Sequence, residues 1–216
     1  VRRNVCFFSW PRGWVCLYRP VSIVTRLPSS LIALVLWATP AAATEPSDFN
    51  IQRQFELPAH RALARARADG DGAPTPFTTD GCSGGLSSVW MVVSDQFPEF
   101  SKAHGKQPPW EKCCVVHDLA YHSAGASTVP EQSFADRAKA DRALRECVVR
   151  TGKTRLSEIA GLYGTDEDTV ERAYRAIANA MYLAVRLGGV PCSGMPWRWG
   201  YGYRQCFVNA GDLAGR

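Results

Sequence analysis

Cys113-Cys114-Val115-Val116-His117-Asp118-Leu119-Ala120-Tyr121 places two adjacent cysteines, an imidazole, a carboxylate and a phenol within nine residues. Pro108-Pro109 precedes the stretch and Ser123-Ala124-Gly125 follows it. Proline is tolerated in a first helical turn and glycine stops a helix, so Trp110 to about His122 reads as one helix. A second helix is expected from about Pro130 to Arg150, with Gly152 as its terminator. A third is expected from Thr165 as N-cap to Gly188-Gly189, with the apolar stripe Val170, Tyr174, Ile177, Met181 and Val185 packing into the core. Leu86 to Phe97 is apolar enough for a short buried helix, and no internal repeat is visible.

The spacing of the two central helices carries chemistry. If they run antiparallel and Cys113 bridges Cys147, His117 lies four residues after one anchor and Asp141 six before the other. At ~1.5 Å per residue these are displacements of roughly 6 and 9 Å in the same direction, so the two side chains become neighbours. A buried carboxylate against one ring nitrogen fixes the tautomer and leaves the other nitrogen as a base. Asp118 lies about 100° further round the helix and points elsewhere. Asp80-Gly81-Cys82-Ser83-Gly84-Gly85 is a glycine-rich loop. A Cys82–Cys114 bridge would hold it one helical turn from Asp118. Calcium takes carboxylate and backbone carbonyl oxygens, and such a loop can turn its carbonyls inward.

Composition bounds the setting. Among 216 residues the net charge is +5, yet Arg2, Arg3, Arg12, Arg19 and Arg26 precede residue 44 with no acidic residue among them. The remainder carries 20 basic and 20 acidic residues, so nothing in the charge points to nucleic acid. Leu31-Ile32-Ala33-Leu34-Val35-Leu36-Trp37-Ala38 is a short apolar run after arginines, followed by the small residues Pro40-Ala41-Ala42-Ala43-Thr44. That pattern reads as a leader or signal peptide over residues 1–43, cleaved after Ala43, with translation starting near Val21. Residues 44–58 read as extended and 59–76 as a frayed helix and linker, so 44–76 is expected to be a linker or propeptide-like segment. Cys6 and Cys16 fall in the leader, and the six cysteines after it are an even number, as an exported disulfide protein should have. Six cysteines allow 15 connectivities by number alone.

CCVVHDLAY resembles the active-site helix of secreted phospholipase A2, CCxxHDxxY. Asp141 to Cys147 resembles that family's second helix, and Asp80 to Gly85 a shortened form of its calcium loop. The likeness covers about residues 77–150 well and the rest of a 77–216 domain loosely. It implies a mainly α fold: a disulfide-linked antiparallel helix pair with a calcium loop, an extra C-terminal helix and a short aromatic hairpin. It implies calcium-dependent hydrolysis of the sn-2 ester of glycerophospholipids, with a membrane or micelle surface as partner and a secreted or periplasmic location. His117 would be the base and Asp118 the calcium ligand, joined by the carbonyls of Gly81, Ser83 and Gly85. The Ser83 amide would face the oxyanion. Asp141 would orient His117, and Tyr121 would hydrogen-bond Asp141.

The sequence departs from the family's third helix–helix cysteine pair, where Ala120 and Ala140 stand. Their joint loss keeps the register and leaves packing to hold that end. The family's second tyrosine on the aspartate has no clear counterpart; Tyr163 and Tyr174 are candidates. Cys192 and Cys206 are then left for each other. Between them Trp197, Trp199, Tyr201 and Tyr203 alternate at period two, which favours a strand or hairpin edge. His60, His104 and His122 have no evident partners and read as surface residues. A zinc site at Cys113-Cys114 with His117 is disfavoured because adjacent cysteines diverge on a helix. The rival functions are a non-catalytic lipid-binding or toxin-like module of the same fold, and a wall- or matrix-binding domain using the aromatic segment.

Overall fold

The structure, a computed structural model, describes residues 5–9, 13–17, 46–70, 72–82 and 86–215. Two compact units divide the chain at Ala41/Ala42. In the first, β1 (Val5–Ser9) and β2 (Gly13–Leu17) pair antiparallel, with Cys6 opposite Cys16 in register. The expected apolar run of the leader and its cleavage region lie outside the described residues. Among the described residues, no helix is long and apolar enough to cross a membrane.

The second unit is helical: α1 (Pro46–Ala68), α2 (Leu86–Gln96), α3 (Pro98–His104), α4 (Glu111–Ser123), α5 (Pro130–Lys153), α6 (Leu156–Tyr163), α7 (Glu167–Gly188) and α8 (Ala210–Leu213). α5 is central and packs against α1, α4 and α7. Its buried positions include Phe134, Arg137, Ala138, Asp141, Leu144 and Val148, steps of three and four that draw one stripe along the helix. Cys113–Cys147 ties α4 to α5, Cys82–Cys114 ties the loop before α2 to α4, and Cys192–Cys206 closes the C-terminal segment.

Two apolar clusters flank the middle of α4. One gathers Trp110, Cys113, Cys114, Leu144, Val148, Val170 and Tyr174. The other gathers Leu63, Tyr121, Ala124, Trp199 and Cys206, with Ala120 and Ala140 packed against it. Ala120 and Ala140 therefore share one apolar cluster.

Several expectations need correction. Residues 46–68 are one 23-residue helix, so the stretch read as extended up to residue 58 joins the helix expected from residue 59, and it runs through Pro58. An interior proline disfavours a helix, but burial of Leu57, Ala62 and Leu63 outweighs that local cost. α6 was not expected at all. α7 is capped by Asp166, whose carboxylate accepts the Thr169 amide at 2.7 Å, and not by Thr165. The aromatic segment forms successive turns, not a strand or hairpin. Its amides are spent elsewhere: Gly200 donates to the Tyr121 carbonyl at 2.7 Å and Gly202 to that of His122 at 3.2 Å. These carbonyls end α4, where no intrahelical partner exists, so the segment caps a helix. A Cβ at Gly202 would fall 2.6 Å from the His122 ring, which is why the period-two spacing carries glycines between its aromatics.

Gly152 lies inside α5 and does not terminate it. A Cβ there would meet Tyr174 Cγ at 2.3 Å, so the glycine admits α7 to close contact. Gly152→Ala should destabilise by about 1–3 kcal/mol through overpacking of a rigid ring. Gly161 in α6 has nothing within 4 Å of such a Cβ. Gly161→Ala should therefore raise the midpoint slightly, by about 0.5–1 kcal/mol of helix propensity. Thermal unfolding of both variants measures the opposed signs; two shifts of one sign would refute the packing argument.

Candidate functional site

His117 sits midway along α4, where the disulfide register brings α5 alongside. Its Nε2 lies 2.9 Å from Asp141 Oδ1, and its Nδ1 lies 3.9 Å from Asp118 Oδ1. Tyr121, one turn further on, donates its hydroxyl to the same Asp141 oxygen at 2.6 Å. Asp141 is fully buried and His117 is 7 % exposed. The structure thus brings together His117, Asp141 and Tyr121, the three side chains that the sequence singled out.

The remaining Asp141 oxygen is met by neither Tyr163 nor Tyr174. Tyr163 pairs with His104 at 2.5 Å, and Tyr174 lies in the core against Trp110. The partner is Arg186 of α7, whose Nη1 donates to Oδ2 at 2.8 Å. Arg186 Nη2 reaches Glu56 Oε1 of α1 at 2.7 Å. Arg137 completes the set: it bridges to Glu56, donates Nε to Tyr121 Oη at 3.1 Å, and donates Nη2 to the carbonyls of Val185 and Arg186. Two arginines and two carboxylates alternate, so the buried cluster is formally neutral. Burial of such charges is tolerable only with this degree of pairing.

Glu56, Arg137 and Arg186 were missed by sequence reading. Arg137 was findable, since it lies four residues before Asp141 on the same buried stripe of α5. Glu56 and His60 have i,i+4 spacing on α1, a signal hidden once that segment was read as extended. Arg186 follows the apolar stripe of α7, and its partners lie on helices more than 40 residues away in sequence.

The histidines also differ from expectation. His60 and His122 are buried, not on the surface. His60 Nδ1 lies 2.9 Å from Ser133 Oγ, which also accepts the Trp199 indole N–H at 3.0 Å. His122 packs against the rings of Phe77 and Tyr201.

Two cavities meet at Asp118. One, of about 290 Å³, runs from His117 and the Cys82–Cys114 bridge along Leu144, Met181 and Val185. Met181 and Val185, expected as plain core, thus form a wall beside His117. The other, of about 370 Å³, is lined by Thr78, Thr79, Asp80, Pro196 and Tyr201. Asp118 and Trp197 line both.

The expected calcium loop is described only in part, because Ser83, Gly84 and Gly85 lie outside the described residues. Gly81 is reached through Thr79: the Gly81 amide donates to Thr79 Oγ1 at 3.0 Å, and that hydroxyl donates to Asp118 Oδ2 at 2.5 Å. Gly81 has φ +79°, and a Cβ there would overlap the Glu111 carboxylate at 1.7 Å. The loop start therefore requires glycine. Among the described residues no three His, Cys, Asp or Glu side chains converge as a metal site. The donor chemistry nonetheless suits a hard cation. Asp118, Asp80 and Thr79, each with side-chain oxygen, line one cavity, and calcium draws further ligands from backbone carbonyls. Tyr201 reports the local field: burial, and then the negative charges of Asp118 and Asp80, push its hydroxyl pKa up.

Electrostatics between the two carboxylates favour the protonated ring. Burial disfavours the His117 imidazolium, but the hydrogen-bonding and charge of Asp118 and Asp141 outweigh it and raise the pKa. Burial would raise Asp141, but the His117 bond and the Arg137 charge hold it below its usual 3.8. Glu56 likewise lies below its usual 4.5, with His60, Arg137 and Arg186 outweighing burial. A carboxyl whose folded pKa is depressed contributes stability above its unfolded pKa and loses it as pH falls through the folded value. The thermal midpoint should therefore drop as pH falls below about 4.5, and Glu56→Gln should show a shallower drop from a lower start. A midpoint unchanged down to pH ~3 would show that the buried cluster is not held by charge.

No family model, curated protein or solved structure matches the chain.

Proposed function

We propose that the protein is a calcium-dependent phospholipase A2 that hydrolyses the sn-2 ester of glycerophospholipids and acts outside the cytoplasm. The observation that carries this reading is the environment of one ring. His117 Nε2 faces Asp141 at 2.9 Å while Nδ1 faces Asp118 at the junction of an oxygen-lined and an apolar cavity. A buried carboxylate on Nε2 favours the proton there and leaves Nδ1 to accept one. The apolar wall of Leu144, Met181 and Val185 suits an acyl chain, and the oxygen-lined side suits a cation with a phosphate.

In this mechanism Nδ1 of His117 takes a proton from a water as that water attacks the ester carbonyl. The same nitrogen returns the proton to the departing glycerol oxygen, giving a free fatty acid and a lysophospholipid. Asp141 stays ionised and stabilises the transient imidazolium, with Tyr121 fixing its position. Asp118 would hold the calcium ion together with the carbonyls of Gly81, Ser83 and Gly85. Bound calcium supplies positive charge for the phosphate and for the developing oxyanion. The three disulfides among residues 46–215 are in keeping with an oxidising compartment.

Fatty-acid release from phospholipid vesicles in millimolar calcium tests this directly. His117→Gln should lower release by about 10²–10⁴-fold, the size of a lost general base. Chelation, or Asp118→Asn, should abolish calcium-dependent release. Vesicle binding without any release by the wild-type protein would favour the non-catalytic lipid-binding module instead. Full release by His117→Gln would remove His117 from the mechanism.

A further inference from the structure

His117 lies between two carboxylates, and each would stabilise a different tautomer. Asp141 accepts from Nε2 at 2.9 Å, whereas Asp118 stands 3.9 Å from Nδ1. A ring protonated on Nδ1 would turn toward Asp118 and have no lone pair for a water. The choice between the two depends on how rigidly Asp141 is presented. A carboxylate held through one oxygen can rotate; one held through both cannot. His117 and Tyr121 meet Oδ1, and the contact to Oδ2 comes from Arg186 Nη1 at 2.8 Å.

Arg186 is itself held. Its other terminal nitrogen reaches Glu56 at 2.7 Å, so one planar guanidinium spans two carboxylates. Arg137 binds Glu56 from the far side and fixes the Val185 and Arg186 carbonyls at 2.7 and 2.8 Å. A planar donor fork suits such bridging, and lysine, with a single point charge, cannot reproduce it.

We propose that Arg186, clamped by Glu56 of α1, is a positioning residue that fixes Asp141 and thereby keeps the His117 proton on Nε2, making α1 part of the site. The proposal rests on the phospholipase reading for its kinetic consequence, but not for its effect on the ring. It also assigns a purpose to a helix for which the sequence resemblance offers no counterpart.

The test joins kinetics with ¹⁵N spectra of the His117 ring at one alkaline pH, using the whole disulfide-bonded protein. Wild type should show protonated Nε2 and bare Nδ1. Arg186→Met should retain cooperative unfolding, populate the Nδ1-protonated form, and lower kcat by about 10- to 100-fold, the size usual for an outer partner of a functional histidine. KM for vesicle phospholipid should stay within about threefold, because ground-state binding is untouched. Arg186→Lys should fall between the two by restoring charge on Asp141 without the bridge to Glu56. A folded Arg186→Met with a single Nε2-protonated ring and wild-type kcat overturns the proposal. If Arg186→Met does not fold, Glu56→Gln decides: ring exchange with reduced kcat supports the clamp, and wild-type values of both overturn it. If the wild-type protein releases no fatty acid, the functional reading fails, and the ring spectra alone decide whether Arg186 positions His117.

Discussion

Asp141 is a fully buried carboxylate on the central helix, and the arrangement of its neighbours follows from the cost of putting it there. An ionised group removed from water needs both charge and hydrogen-bond donors close by. Those donors come from α4 through His117 and Tyr121 and from α7 through Arg186. A slip of either helix by one turn, about 5.4 Å, would strand the charge. Asp141 therefore sets the register of three helices with a penalty for error, while Cys113–Cys147 sets the α4–α5 register covalently. The two constraints agree, which is what places one ring nitrogen on the carboxylate and the other toward the cavities.

Buried ion pairs are poor evidence for added stability, because desolvation offsets most of the attraction. Apolar side chains of similar volume would hold α1, α5 and α7 together at least as well. The Glu56, Arg137, Asp141 and Arg186 cluster is better understood through geometry. Each carboxylate meets donors from two directions, Arg186 spans both carboxylates and Arg137 meets four acceptors, so none has a second comfortable orientation. Arg137 adds a further restraint, since its donors close the last carbonyls of α7 near the residue that reaches Asp141.

The legible part of the molecule was the part governed by local periodicity and crosslinks. The α4 and α5 helices follow from the 3.6-residue repeat, and the His117–Asp141 contact follows once Cys113 is paired with Cys147 across antiparallel helices; the Tyr121 contact was implied by the family resemblance alone. The segment ending at Pro58 was read as extended and Gly152 as a helix terminator, and in both cases tertiary packing decided otherwise. Leu57, Ala62 and Leu63 carry α1 through its proline, and Tyr174 needs the missing Cβ at Gly152. The aromatic alternation after Trp197 matched a strand in spacing alone. Its backbone amides turn to the end of α4, an assignment that depends on which carbonyls lack partners elsewhere. Arg186 was illegible for the same reason, because its meaning lies in residues brought close only by packing.

The two ends of α4 are secured by different physics, and the difference bears on the site. At the N-terminal end, adjacent cysteines bond to α5 and to the loop before α2. Each bridge spans more than 30 residues of chain, and a loop of that size restricts the unfolded ensemble by about 4 kcal/mol. At the C-terminal end no bridge exists; Ala120 and Ala140 pack into an apolar cluster with Trp199, and Gly200 and Gly202 cap the helix. Small residues allow the close approach that a disulfide would otherwise impose. His117, Asp118 and Tyr121 occupy the turn between these anchors. A helix held covalently on one side and by shape on the other has little freedom to rotate, so Asp118 stays aimed at the cavities while His117 stays on Asp141.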